Sequence, residues 1–493
     1  MEKLFKVREL IEELNNFGIG YCHWKSNIAL PESLSGQTDI DLLIQREDAS
    51  LFRTILSQLQ FRPAVMTDGH PFPSVEHYYA LDENSGILVH VHAYYRVITG
   101  ESLTKNYHFP IEEMLLKHTR QVDSVQVPVK SAELIVFTLR MMLKHTALVE
   151  LLLLSRYWKG VRQEIEWLLE PETLDRSKEL LQCYLPTIDT GLFSECVEAL
   201  KTPAPLYRRV ILGYRLRSQI GSYARHSWVR TRLDGMRKFM VMFISRFARS
   251  QKSMALQTGG AMIAFVGSEA SGKSTLLSEI GGWLGEHFTV EQIHVGKPPS
   301  SALTFIPNLF LPALRSIFPK ARSTKVQIPP EDPARPQKAS AKFPLMFAIR
   351  SALLAHDRNS LLSRAFSRTA NGTVMLCDRY PSAQSGVPDS PQLAHLPVPS
   401  SRFSIRRIMA QSEARLYQQI PAPDLIVYLT VPLEVAVRRN AERNKYEPED
   451  YVRQRYSRSA NLEFGDIPVL RINTDQPLEQ TVLDVKKAIW KAL

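Results

Sequence analysis

Eight consecutive residues can grip a phosphate chain. Gly267, Ser268, Glu269, Ala270, Ser271, Gly272, Lys273 and Ser274 fit the pattern G-x-x-x-x-G-K-[ST], and Thr275 follows them. Each part of that pattern has a physical purpose. The two glycines let the backbone curl so that its N–H groups converge on an anion. A helix that starts at the loop turns its positive end toward the same point. Lys273 can reach the outer phosphates, and the Ser274 hydroxyl can ligate a magnesium ion. The flanking sequence agrees. AMIAFV before the loop reads as a buried strand, and TLLSEIGGWL after it reads as an amphipathic helix. A strand leading into the loop and a helix leading out of it are what the pattern needs to be more than a glycine-serine turn.

A second group can complete such a site. Asp378, Arg379 and Tyr380 follow the apolar strand Thr373–Cys377. An acid at the C-terminal end of a parallel strand sits beside the phosphate loop, where a metal must lie. Asp378 can hold Mg²⁺ through water, and Arg379 can hold the phosphate of an acceptor.

From about residue 261 to 493 the order of motifs resembles the thymidylate kinase group of P-loop nucleoside monophosphate kinases. The resemblance rests on Glu269 within the loop, LLAHDR ending in Arg358, Asp378-Arg379-Tyr380, Pro423-Asp424-Leu425, and a basic stretch with Arg438, Arg439, Arg443 and Lys445. The tail NTDQPLEQTV is similar to the group's last strand and helix. The resemblance implies an ATP- and Mg²⁺-dependent phosphotransferase. Residues 267–275 would hold ATP, with Ser274 and Asp378 serving the metal. Glu269, Arg358 and Arg379 would bind the acceptor. Lys273, Asp378, Arg379 and Arg443 would serve the chemistry, Arg443 being the lid cation ahead of Arg438 and Arg439. Two departures bear on the acceptor. Ala270 stands where the group has glycine, and Leu354 stands where it has a phenylalanine that stacks on thymine. The expected acceptor is therefore a nucleoside monophosphate or a related phosphorylated small molecule, and not thymidylate in particular. The resemblance also implies a homodimer.

Near the N-terminus, Asp39 and Asp41 lie on a predicted strand, where alternation puts both carboxylates on one face and lets them hold a divalent metal. GQTDIDLLI resembles the D-x-D strand of the nucleotidyltransferase superfamily, and Trp24-Lys25-Ser26-Asn27 stands where some members grip phosphate. The superfamily needs a third acid on a later strand. The candidate strand carries His90 there, with His92 two residues on; two such residues on a strand could bind a metal, the plainer expectation being that they are hydrogen-bonded in place. Two-metal transfer with two carboxylates is compromised. Two further functions follow as alternatives to the kinase: an ATP-dependent switch, or a nucleotidyltransferase with a tethered kinase.

These groups need elements to place them. Strands are predicted over residues 19–24, 40–44, 75–81 and 87–95 in the first region, with a helix over 132–145. Residues 148–258 read as helix broken by prolines. From residue 261, strands over 262–266, 290–295, 373–377, 425–430 and 469–472 alternate with helices, ending in a helix over 478–493. The fold class is thus α/β. A parallel sheet covered by helices on both faces is expected at 259–493, an α+β nucleotidyltransferase-like domain at 1–147, and a basic helical linker at 148–258. The stretch from Pro319 to Pro344, rich in Pro, Lys and Arg, reads as a mobile loop or insertion.

The 493 residues exceed one ordinary core. The net charge of +11 is regional, since Asp234 is the only acid between Lys201 and Lys252. That segment is expected to be a linker, with contact to an anionic membrane surface as the alternative. Aromatics are not interleaved with its arginines at a useful spacing, which argues against nucleic acid. Four scattered cysteines with no CxxC pair fit a reducing, cytoplasmic setting. The N-terminal helix lacks the marks of a signal peptide, and the apolar run at residues 239–244 is too short to span a bilayer.

Overall fold

The computed structural model describes residues 2–67, 73–144, 154–202, 206–247, 254–268, 270–306, 344–396, 404–442, 448–459 and 461–493. The chain forms two compact units, Met1–Lys252 and Ser253–Leu493.

In the first unit, β1 (Tyr21–His23), β2 (Ile40–Ile44), β3 (Arg62–Met66), β4 (Val75–Leu81) and β5 (Leu88–Tyr94) lie side by side in the order β1-β2-β5-β4-β3. β2 and β5 are parallel, and the other pairs are antiparallel. Alternation sorts their side chains. Ile40, Leu42, Ile44, Tyr78, Ala80, Val89, Val91 and Ala93 share a core with Val7, Leu10, Ile11 and Leu14 of the first helix and Phe52, Ile55 and Leu56 of the helix Ala49–Gln58. The residues between them, including Asp41, His90 and His92, point to the opposite face.

Two hairpins follow, β6 (Val97–Thr99) with β7 (Tyr107–Phe109) and β8 (Thr119–Val122) with β9 (Val125–Pro128). Asp123 and Ser124 join β8 to β9 with φ of 48° and 68°, the twist a two-residue hairpin loop requires.

The separate helical segment expected over 148–258 packs instead with the residues before it. The helix Lys130–Lys144 is buried along most of its length. Its Leu134, Phe137 and Leu139 share one core with Trp24, Leu43 and Phe109, and with Ile165, Leu181, Leu192, Phe193 and Leu212 of the later helices. Proline breaks and basic faces resemble a linker in sequence because the apolar stripe of each helix is narrow. The stripes meet only in the folded unit. The last helix of the unit, Trp228–Phe247, carries exposed Trp228, Leu233, Met236 and Met240 among its arginines. No helix among the described residues is long and apolar enough to cross a membrane.

In the second unit, β11 (Met262–Gly267), β12 (Val290–His294), β13 (Val374–Asp378), β14 (Leu425–Thr430) and β15 (Val469–Asn473) form one parallel sheet in the order β12-β13-β11-β14-β15. The short strand β10 (Met254–Leu256) precedes it, bridged to Phe288. Strands β11, β13 and β14 are the most apolar and lie in the middle, as expected for strands buried on both faces. Asp424 closes the edge of this centre. Its carboxylate accepts a 2.8 Å bond from the Met262 N–H, and its own N–H donates to the Met262 carbonyl at 2.9 Å. Of the loop expected from Pro319 to Pro344, all but Pro344 lies outside the described residues.

Because the sheet and later helices of the first unit share buried contacts, Leu181→Ala should destabilise it. Leu181 is fully buried, and truncation at such a site costs about 2–5 kcal/mol. The urea midpoint of the first unit, followed through the buried Trp24, should fall accordingly. An unchanged midpoint would mean that the helices are peripheral.

Candidate functional site

β11 delivers the chain to the C-terminal edge of the parallel sheet, where the loop begins. Gly267 has φ of 150°, and a Cβ there would stand 2.2 Å from the Leu429 carbonyl oxygen on β14. Only glycine lets the strand pass that close. Gly272, with φ of 84°, caps the helix Lys273–Gly285. Ala270, where the resemblance led us to expect glycine, has φ of 56°, a left-handed conformation that L-residues adopt at a cost. Ser271 donates its hydroxyl to the Ser268 carbonyl at 2.9 Å, and the Lys273 ammonium donates to the same carbonyl at 2.7 Å and to that of Gly267 at 3.1 Å. The lysine thus lies along its own loop. Ser274 and Thr275 are exposed in the first helical turn. Glu269 lies outside the described residues.

Asp378 ends β13, the strand beside β11, level with Phe265. Its carboxylate is therefore delivered to the same edge of the sheet as the loop. His294 ends β12 directly beside it, and its Nδ1 lies 2.8 Å from Asp378 Oδ2. A hydroxyl at Ser274 and a carboxylate at Asp378 are oxygen donors, the kind that Mg²⁺ takes.

Arg358 and Arg379, expected to hold the acceptor, are brought together by a residue that no motif announced. Asp389 accepts from Arg358 Nη2 at 2.6 Å and from Arg379 Nη1 at 3.1 Å. Arg358 also donates to the Val295 carbonyl at 3.1 Å and to the Tyr417 hydroxyl at 2.6 Å, and its side chain is only 4% exposed. It is a buried, fully engaged guanidinium. Arg379 is 35% exposed and holds φ of 76°. Of the two, Arg379 is the one that can meet a ligand directly. Asp389 lies in a Pro/Ser-rich stretch without periodicity, so sequence alone offered no signal for it.

On the other side of the loop a cleft of about 350 Å³ opens beside Ala270, Gly272, Thr275, Arg439, Thr474 and Gln476. Arg439, on the helix Leu433–Ala441, donates to Thr474 Oγ1 at 3.2 Å and to the Thr474 carbonyl at 2.8 Å. Its planar group forms one wall of the cleft. Arg443, our expected lid cation, lies outside the described residues, as does Lys445. Leu354 lies on the helix Leu345–Thr369 that carries Arg358.

In the first unit, Asp39 and Asp41 do share one face, and that face is crowded with cations and imidazoles. Asp41 Oδ1 lies 2.9 Å from Lys25 Nζ and 3.1 Å from His92 Nδ1. Asp39 Oδ1 lies 2.8 Å from His90 Nδ1. Lys25 also donates to the Tyr94 hydroxyl at 2.8 Å. Burial alone would raise the Asp41 carboxyl, but the Lys25 ammonium and His92 outweigh it and hold Asp41 well below the carboxylate range. Burial lowers Lys25, and Asp41 only partly offsets that. Burial, helped by the neighbouring imidazoles, brings His77 down to about 3. His77 escaped sequence reasoning because it meets His92 only through the β4–β5 register.

An all-parallel sheet with a G-x-x-x-x-G-K-S loop leaving its central strand defines the second unit as a P-loop α/β domain. No protein-family model matches the chain. It is 25% identical over 236 residues to the uncharacterized ATP-binding protein YghR of Escherichia coli K12, a match covering 46% of this chain and 86% of that protein. It is 24% identical over 252 residues to the uncharacterized ATP-binding protein YghS of the same strain, covering 50% of this chain and 99% of that one. Among solved structures, a thymidylate kinase from Candida albicans covers 47% of this chain and 92% of its own, at 16% identity and a TM-score of 0.27. A likeness that low carries no structural argument.

The burial of the two guanidiniums orders their contributions. Asp389→Asn leaves the buried Arg358 charge without its anion, a loss of about 3–5 kcal/mol. Arg379→Gln removes a half-exposed pair and should cost no more than about 1 kcal/mol. Denaturant melts of the two variants should differ in that order. Equal losses would mean that Asp389 does not anchor Arg358.

Proposed function

We propose that the second unit binds ATP with Mg²⁺ and transfers its γ-phosphoryl group to a small phosphorylated acceptor, a nucleoside monophosphate or a compound of that kind. One observation carries this: the phosphate loop, Asp378 and the Arg358–Asp389–Arg379 cluster all belong to one unit. The loop and Asp378 share the C-terminal edge of its sheet. The names of the two bacterial relatives, both ATP-binding proteins, are consistent with it.

The division of labour follows from the residues. ATP phosphates would lie against the loop amides and the N-terminus of the helix Lys273–Gly285. The Lys273 ammonium, now bonded to loop carbonyls, would turn to the outer phosphates. Ser274 and Asp378 would hold Mg²⁺, which supplies charge neutralisation between the phosphates. The cleft beside Arg439, Thr474 and Gln476 has the size and the flat cationic wall to take the base. Arg379 would orient the acceptor phosphate, with Arg358 as its buried support. Phosphoryl transfer needs in-line positioning and neutralised charge more than covalent chemistry, and these groups supply both. Arg443 remains the proposed lid cation, and dimerisation a proposed assembly.

The first unit is not proposed as an active nucleotidyltransferase. His90 stands at the third-acid position, and both carboxylates of Asp39 and Asp41 are engaged.

The test is ATP binding by calorimetry with and without Mg²⁺, followed by ADP release across a panel of nucleoside monophosphates and sugar phosphates. One acceptor should accelerate ADP release. Lys273→Ala and Asp378→Asn should each lower that rate by about 100–1,000-fold, the scale for removing one electrostatic stabiliser. ATP binding with only slow hydrolysis and no acceptor would favour a nucleotide-dependent switch. No ATP binding at all would end the proposal.

A further inference from the structure

The face of the first sheet that turns away from its core gathers His77 from β4 with His90 and His92 from β5. Each offers a ring nitrogen, and the three nitrogens lie within 4.8 Å of one another. The register explains the gathering. His77 is paired with His92 across the antiparallel strands, and His90 is two residues from His92 on the same face. The rings are packed edge to face, His77 on His92 at 4.7 Å and His90 on His92 at 4.3 Å between centroids. Tyr79 stacks flat on His90 at 4.0 Å. Such rings have little freedom to turn.

Their orientation is also set from behind. His90 Nδ1 lies 2.8 Å from Asp39 Oδ1, and His92 Nδ1 lies 3.1 Å from Asp41 Oδ1. An ionised carboxylate only accepts, so each Nδ1 carries the proton and each Nε2 keeps its lone pair. That carboxylate–histidine arrangement fixes the tautomer and raises the donor strength of a metal-binding imidazole. With its proton on Nδ1, His90 accepts at Nε2 from His77 Nδ1 at 3.2 Å, so a metal taking both nitrogens displaces that proton and leaves His77 protonated on Nε2 alone. Two nitrogens bound at about 2.0–2.1 Å to one tetrahedral ion stand about 3.3 Å apart, so this pair is already at the required separation.

We infer that His77, His90 and His92 form a site for one borderline divalent cation of the zinc class, with Asp39 and Asp41 as outer-shell groups. The donor set decides the metal. Three imidazole nitrogens suit Zn²⁺, Co²⁺ or Ni²⁺, whereas Mg²⁺ demands oxygen ligands. Lys25 reinforces the choice, because its ammonium already sits 2.9 Å from Asp41 and occupies the carboxylate a magnesium ion would need. The site has a way in. His90 and His92 are 13% and 17% exposed, and Asp39 is 48% exposed beside them. A fourth position on the solvent side is open to water or an anionic ligand.

The site draws only on residues of the first unit, and the full chain tests it directly. EDTA-treated protein titrated with Co²⁺ should develop the intense visible bands of a four-coordinate ion, saturating at one equivalent and bleached by Zn²⁺. His77→Gln and His92→Gln should abolish the bands. Asp39→Asn should weaken binding by about 10–100-fold, as for loss of an outer-shell partner. Cys183→Ser, which removes the exposed thiol, should leave the titration unchanged. Should a histidine variant fail to fold, the wild-type chain still decides the matter, since Zn²⁺ and not Mg²⁺ should raise its Tm. No equimolar Co²⁺ spectrum in the wild type would overturn the inference. So would a spectrum undiminished in folded His77→Gln and His92→Gln. In either case the cluster is an imidazole network joined by hydrogen bonds alone.

Discussion

A backbone contact sets the geometry of the second unit. The chain leaves β11 so close to the Leu429 carbonyl that no side chain fits at Gly267. That closeness aims the loop over the edge of the sheet and starts the following helix beneath it. Everything else at this edge is placed relative to the same strand. Asp378 is level with Phe265 through the β11–β13 pairing, and the Asp424 carboxylate fastens the first residue of β11. Parallel pairing thus converts residues more than a hundred positions apart into neighbours without any local signal between them. The sheet is a positioning device, and its apolar strands are the reason it holds still.

Much of this was legible from the sequence because strong periodicity and a stringent motif coincide. The apolar runs at 262–266, 373–377 and 425–430 are bounded by turn signals and are β-strands in the structure, within a residue at either end. What sequence missed has physical causes. β8 and β9 have four residues each and β10 three, too few for alternation to register, and Pro63 within β3 reads against a strand. Asp389 and His294 act through tertiary contacts: a loop folded back onto two arginines, and a strand end. Neither leaves a spacing in the sequence. The helices after residue 154 misled in a different way. Their charged faces dominate the composition, while the few apolar residues that matter are recognisable only once their partners are known.

The first unit shows how one substitution redirects a site. A pair of aspartates on a strand invites an oxygen-loving metal. With His90 on Asp39, and His92 and Lys25 sharing Oδ1 of Asp41, the carboxylates become acceptors that hold imidazoles in place. The same backbone scaffold presents nitrogen where oxygen was expected. Burial of His77 keeps it uncharged near neutral pH, so it packs against His90 and His92 without adding a positive charge to the cluster.

Asp389 carries one last consequence. A carboxylate already occupies the corner between Arg358 and Arg379, so an anion arriving there enters as a rival and not as a guest. Its affinity for Arg379 is a difference between two negative groups competing for the same cation. A singly charged newcomer merely exchanges like for like, whereas a doubly charged one gains on the incumbent. If Arg379 receives the acceptor phosphate as proposed, the corner would work as a valence filter, sorting small molecules by how much charge they carry before their shape is consulted.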